Sequence, residues 1–152
     1  YDAAMEVFNA APGIEVLGAQ PGLWSREKAL AVMQTFLTQF KQIDAVWASD
    51  DDMALGCETA IREAGRAREM WILGGAGMKD IVKKVMDKDP MYPADTTYPP
   101  SMIATGIHLA VAALRDGQSK KVAEFFPRHV VLDCDLITPE NAKNYYFPDS
   151  VY

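Results

Sequence analysis

Cysteine is scarce in this chain, two among 152 residues, and neither Cys57 nor Cys134 sits in a CxxC or Cys/His cluster. A disulfide scaffold and a structural zinc site are thereby excluded, and both thiols are expected in the core, where free cysteine usually resides. Long hydrophobic runs are missing too: none approaches the roughly 18 residues needed to span a bilayer, and no charged n-region followed by an apolar h-region opens the chain. Positive charge is in deficit, with 15 basic against 21 acidic residues and a formal net charge of -6. Phosphate binding is driven by Lys and Arg, so nucleic acid and anionic membrane surfaces are disfavoured as partners and a neutral or cationic ligand fits better. His108 and His129 stand alone in their segments and read as structural histidines. With no Ser/His/Asp or Cys/His constellation, hydrolytic catalysis has no support.

What remains, 49% hydrophobic and 24% charged residues, is the composition of an ordinary globular domain. The opening YDAAMEVFNAAPG places Ala4, Met5 and Phe8 on one helical face but has no initiator Met and no N-cap before Tyr1. It starts inside a helix, so a longer parent protein is expected. Pro12-Gly13 ends that helix and Ile14 to Ala19 has the short apolar character of a strand. Ser25 then caps a helix in which Ala29, Val32, Met33, Phe36, Leu37 and Phe40 form an amphipathic stripe.

The central unit is IDAVWASDDDMALG, Ile43 to Gly56. Ile43 to Ala48 reads as a parallel strand covered on both faces, and Ser49 to Asp52 as an acidic turn suited to a helix start. Met53, Cys57, Ala60, Ile61 and Ala64 follow at helical spacing, with Gly65 as the C′ residue. Met70 to Leu73 gives a further strand, Gly74 to Gly77 a tight turn, and Met78, Ile81, Val82, Val85 and Met86 one helical face. Asp89-Pro90 breaks that helix, Ala94 to Thr97 forms a fourth short strand, and Tyr98-Pro99-Pro100 ends it. Met102, Ile103, Gly106, Ile107, Ala110, Val111 and Leu114 then form a helix closed by Gly117. A mobile Gln118 to Lys121 leads into a last strand at Val130 to Leu132, and Thr138-Pro139-Glu140 signals a final helix. Alternating strands and helices argue for an α/β fold with a parallel sheet and flanking helices.

In such sheets ligands bind beyond the carboxyl ends of the strands. The residues there are Trp24, Asp50 with Asp51, the turn around Ala76, and Tyr98, which are expected to share one rim. The glycine turn invites a nucleotide reading, but the dinucleotide pattern would need glycine at Asp80 and no Walker lysine is present; a turn requiring positive φ accounts for it. Asp50-Asp51-Asp52 lacks the alternating spacing of a calcium loop. Asp52 reads as a solvated cap and Asp50 as a carboxylate that accepts hydrogen bonds from ligand hydroxyls. Trp24 is either a partly buried anchor or an apolar face for a ring-shaped ligand.

PGLWSREKALAVMQTFL, IDAVWASDDDMALGCETAIREAG, WILGGAGMKDIVKKVMD, YPPSMIATG and LITPENA together resemble the type I periplasmic sugar-binding proteins of ABC transporters, the ribose- and galactose-binding kind, from about Ile14 to Ala142. The resemblance implies a non-catalytic protein of the periplasm, without a cofactor, that captures a sugar or polyol between two lobes for a membrane permease. It implies that residues 1–97 belong to the second lobe, 98–122 cross to the first, and 123–152 return as a strand, short helix and tail. The first lobe and the start of the second are absent, and the surfaces so exposed are expected to drive self-association unless the missing piece is supplied. Carried over, Trp24 matches the aromatic that stacks on the sugar, Asp50 the Asn or Asp that binds hydroxyls, and Tyr98 a hinge-side Gln or Asn. Ala76 falls where that family usually has a ligand-binding Asp, so ribose itself is in question and another pentose, hexose or polyol fits as well. The alternatives are the sugar-sensing domain of a lactose-repressor-type regulator, which shares the fold, and an α/β enzyme.

Overall fold

A computed structural model of the chain describes residues 1–98, 101–116 and 130–151. The chain divides into two compact units, Tyr1–Gly74 and Gly75–Tyr152. Gly117, the Gln118 to Lys121 segment, His129 and the Pro99-Pro100 pair lie outside the described residues.

The first unit holds α1 (Asp2–Ala10), α2 (Arg26–Gln39), β1 (Ala45–Trp47), α3 (Asp51–Glu63) and β2 (Trp71–Leu73), with β1 and β2 parallel and Ala45, Val46 and Trp47 in register with Trp71, Ile72 and Leu73. Helix α2 starts where Ser25 accepts a hydrogen bond from the Lys28 N–H. It stops where the Arg66 guanidinium takes the carbonyls of Leu37, Phe40 and Lys41, so a side chain from a distant turn satisfies acceptors that a helix end leaves open. Helix α3 ends as its sequence predicts. Gly65 has φ of 71°, its N–H donates to Arg62 O and the Arg66 N–H donates to Ile61 O, which is the double bond of a glycine-closed helix end.

The core of this unit lies between α2 and α3 and under β2, where Ala29, Met33, Ala54, Ala60, Ile61 and Ile72 are all buried. Gly56 sets how close the helices come: a Cβ there would lie 2.2 Å from the Arg26 carbonyl oxygen and 3.1 Å from Leu30 N. Further along, Gln34, Leu37 and Thr38 of α2 and Ala60, Glu63 and Ala64 line a shallow depression of about 330 Å³. The start of α2 thus meets the first half of α3 and its end meets the end of α3, so the two helices run in the same direction with their N-termini at one end.

Two strand expectations fail in this unit. Ile14 to Ala19 is not a strand, and Ile14, Val16 and Leu17 are exposed; apolar character becomes a strand only with a neighbour to bond, and β1 pairs β2 alone among the described residues. Nor is β1 covered on both faces. Ala45, Trp47, Trp71 and Leu73 share a face, on which Trp47 and Trp71 are 38% and 42% exposed, while Ile72 on the other face is buried. Phe8 of α1 touches Trp47 edge-on at 5.6 Å.

The second unit holds α4 (Lys79–Met86), β3 (Asp95–Thr96), α5 (Ser101–Asp116) and β4 (Leu136–Ile137). Met78, Ile81, Val82 and Val85 are buried along one face of α4, as their spacing predicts. The fourth strand, β3, is present: it pairs antiparallel with β4, and Thr97 just past its end bridges Ala76 in the parallel sense expected. The last strand also lies later than predicted. Val131 is 79% exposed whereas Ile137 is fully buried, so the residue that finds cover, not the longest β-branched run, marks the strand. Thr138-Pro139-Glu140 opens a turn and a three-residue 3-10 segment, Ala142–Asn144, in place of a helix. Asn141 explains this: its side chain accepts from the Thr138 N–H and donates to Leu136 O, competing with the backbone bonds an α-helix would need. On α5, Ile103, Ile107, Val111 and Leu114 are exposed, and so is His108, which is therefore not a buried structural histidine.

Candidate functional site

Trp24 and Asp50 belong to the first unit, and Ala76 and Tyr98 to the second; each pair has its own local geometry. In the first unit the parallel run of α2 and α3 puts both residues at helix starts. Asp50 is the N-cap of α3: its Oδ1 accepts from the Asp52 N–H at 2.9 Å and the Met53 N–H at 3.3 Å. Its Oδ2 has no hydrogen-bond partner among the described residues, in a residue only 9% exposed. One oxygen holds the helix and the other is an uncommitted acceptor. The cap is therefore Asp50 and not Asp52, as the sequence suggested; Asp52 instead forms an ion pair with Arg26 across the two helix starts.

Trp24 sits in a strained turn. Leu23 and Trp24 have φ of 53° and 56°, and the Ser25 N–H donates to Gly22 O at 3.1 Å. Two successive left-handed residues are the signature of a type I′ turn, normally filled by Asn-Gly, and each costs on the order of 1–2 kcal/mol for a residue with a side chain. The turn presents both side chains to solvent, Leu23 at 68% and Trp24 at 66% exposure, which leaves the partly buried anchor reading without support. Strain of this kind persists where its surroundings hold it, and it concentrates at ligand sites.

Gly22 shows what holds it. A Cβ on Gly22 would meet Met53 Sδ at 2.5 Å and Ala29 Cβ at 3.7 Å, so the turn is seated directly on α3 and α2. Sequence reasoning missed Leu23, Arg26 and Met53 here. Arg26 carried a signal: a cation in the first turn of a helix opposes the dipole, and such a residue calls for a partner outside its own helix.

In the second unit Ala76 is buried. Its N–H donates to Thr96 O at 2.9 Å, its carbonyl accepts from the Tyr98 N–H at 3.1 Å, and it bridges Thr97 in parallel. With both backbone groups engaged, a methyl side chain and 3% exposure, Ala76 offers a ligand no polar group and little surface. The neighbouring Gly77 has φ of 75°, the positive angle expected of the glycine turn. Tyr98 is half-exposed.

No group of three His, Cys, Asp or Glu residues is placed to hold a metal ion, and no helix is long and apolar enough to cross a membrane, among the described residues. Cys57 is the buried thiol, and burial pushes its pKa from an ordinary 9.0 up to about 11, which keeps it protonated and a poor nucleophile at neutral pH. Cys134 is exposed, contrary to the core position expected; it lies just before β4. A thiol reagent at pH 8 is expected to label one cysteine of the folded chain rapidly and the second only on unfolding. Because the folded pKa is raised, the stability Cys57 contributes is fully present below about pH 9 and lost as pH rises through about 11. Denaturant melts across that window should show a steeper alkaline loss for the parent than for Cys57→Ala, and parallel curves would contradict the assignment.

A family model described as a periplasmic binding protein domain matches residues 1–119. The chain is 30% identical over 137 residues to a D-allose-binding periplasmic protein of Escherichia coli K12, covering 90% of this chain and 43% of that protein. It is 36% identical over 119 residues to a ribose import binding protein of Salmonella typhimurium LT2, covering 78% of this chain and 38% of that protein. Among solved structures, an ABC transporter periplasmic solute binding protein from Actinobacillus succinogenes with bound D-allose superposes with a TM-score of 0.74 at 26% identity, over 93% of this chain and 48% of that one. The chain thus spans less than half the length of each of these relatives.

Proposed function

Because this chain belongs to the periplasmic binding protein domain family, we propose that it forms part of the sugar- or polyol-binding site of a solute-binding protein serving an ABC importer, binding its ligand without converting it. The observation that carries the reading is the Asp50 carboxylate, with one oxygen bonded to the start of α3 and the other uncommitted, at the same end of the helix pair as the exposed Trp24. An aromatic ring covers the apolar C–H face of a pyranose, furanose or cyclitol, and a carboxylate accepts from its hydroxyls. Of the second unit's own candidates, Ala76 brings no carboxylate to select a pair of hydroxyls, and Tyr98 has a half-exposed phenol.

The names of the relatives, which bind D-allose and ribose, support a sugar or polyol as the ligand class. On the same reading the protein works in the periplasm and delivers to a membrane permease, and the exposed apolar residues of α5 favour association with another copy or with further chain. No observation favours the repressor-type alternative.

The test is a titration of the full gene product with D-ribose, D-allose and myo-inositol. Binding should saturate for at least one of them and change the emission of Trp24. Trp47 and Trp71 are themselves partly exposed, so the measurement belongs in a Trp47→Phe, Trp71→Phe background. A sugar-induced change that survives Trp24→Phe would place the stacking contact elsewhere, and unchanged sugar recovered after binding is the expected result for a non-catalytic protein.

A further inference from the structure

Met53 meets both parts of this site, one through its backbone and the other through its sulfur. Its backbone N–H donates to Asp50 Oδ1 at 3.3 Å. Its sulfur occupies the space where a Gly22 Cβ would stand, at 2.5 Å, and Gly22 opens the turn whose third residue is Trp24. The residue is buried, at 7% exposure, and so has no surface of its own to give a ligand. The turn it supports would not keep two bulky residues at positive φ unaided, because neither Leu23 nor Trp24 favours that backbone.

We propose that Met53 is a positioning residue for the proposed ligand site: its thioether, packed on Gly22, holds the strained Gly22–Ser25 turn against the start of α3 and so sets where the Trp24 ring stands relative to the Asp50 carboxylate. The proposal rests on the sugar-binding reading above for its effect on affinity, and on the geometry alone for its effect on the ring. A flexible, polarizable thioether suits the task, since it fills an irregular gap between a glycine backbone and a helix start. It also makes Gly22 a requirement, because any side chain at that position competes with Met53 for the same volume.

The experiment is a double-mutant cycle on the full gene product in the Trp47→Phe, Trp71→Phe background, with whichever of D-ribose, D-allose and myo-inositol binds most tightly as the probe. Gly22→Ala should weaken binding by about tenfold or more, and the same substitution should cost little in a Met53→Ala chain, where the vacated volume accepts the new methyl. Equal losses in the two backgrounds would overturn the proposal. A second variant covers the case in which Gly22→Ala does not fold: Met53→Ala removes the support without adding volume and should lower affinity, and Leu23→Gly, which accepts positive φ, should restore part of that loss in the Met53→Ala chain. Affinity within twofold of the parent in Met53→Ala would also overturn it.

Time-resolved anisotropy of Trp24, without sugar, separates the two readings. Faster ring motion in Gly22→Ala or Met53→Ala than in the parent is the expected result, and identical motion contradicts the positioning role. If the parent binds none of the three sugars, the functional reading fails and the anisotropy still decides the role of Met53.

Discussion

Gly56→Ala is expected to destabilise the first unit strongly. The new Cβ would stand 2.2 Å from the Arg26 carbonyl oxygen, 3.1 Å from its carbon and 3.1 Å from Leu30 N. These are backbone atoms of α2, which cannot turn aside as the end of a side chain can, so α2 and α3 must separate along their whole contact. Overpacking typically costs about 1–3 kcal/mol and occasionally more; a clash with backbone belongs at the upper end. Working against it, alanine favours a helix over glycine by about 1 kcal/mol. The clash dominates, and a net loss of about 2–3 kcal/mol is expected.

The same substitution elsewhere gives the contrast. Gly106 lies inside α5 with no atom within 4 Å of an added Cβ, so Gly106→Ala should be neutral or stabilising through helix propensity alone. Denaturant midpoints should therefore fall for Gly56→Ala and hold or rise for Gly106→Ala. If Gly56→Ala matched the parent, the close approach of α2 and α3 would be wrong, and with it the placement of their two starts at one end. A surviving fraction of folded Gly56→Ala should also bind sugar poorly, since moving α2 away carries the Trp24 turn from Asp50.

The parts of this fold legible in the sequence are those decided locally. The stripe from Ala29 to Phe40, the cap at Ser25 and the glycine at the end of α3 depend on spacing and on one or two neighbouring residues, and each stands as the spacing predicts. Strands were harder because a strand is defined by its partner. Ile14 to Ala19 has strand composition and no partner among the described residues, while Leu136–Ile137 has little composition to recommend it and pairs with β3.

The site divides in the same way. Asp50 was visible as an acidic residue after a strand, but its double duty was not, because sequence does not say which of three successive aspartates accepts the helix N–H groups. The Gly22–Ser25 turn was invisible for a stronger reason: Leu and Trp disfavour positive φ, so local propensity pointed away from the conformation that Gly22, Met53 and Ala29 impose.

Asp50 gives the sharpest separation of binding from folding. Asp50→Ala removes the cap acceptor and the uncommitted oxygen together, and should lower stability by about 1 kcal/mol as a lost N-cap. It should also weaken sugar binding by roughly 10- to 150-fold, the equivalent of about 1.5–3 kcal/mol for a hydrogen bond to a charged acceptor. Asp50→Asn keeps an oxygen for the Asp52 and Met53 N–H groups, so it should retain most of the stability while losing much of the affinity, because the second acceptor becomes a neutral amide. Asp52→Ala breaks only the exposed Arg26 pair, worth at most about 1 kcal/mol to folding, and should leave affinity within a few-fold of the parent. Calorimetric titrations and denaturant melts on the three variants separate the two effects. Equal affinity losses for Asp50→Ala and Asp52→Ala would mean that the acidic turn acts on the ligand only through the helix it starts. Full affinity in Asp50→Asn would mean that the charge of Asp50 is not what the ligand meets.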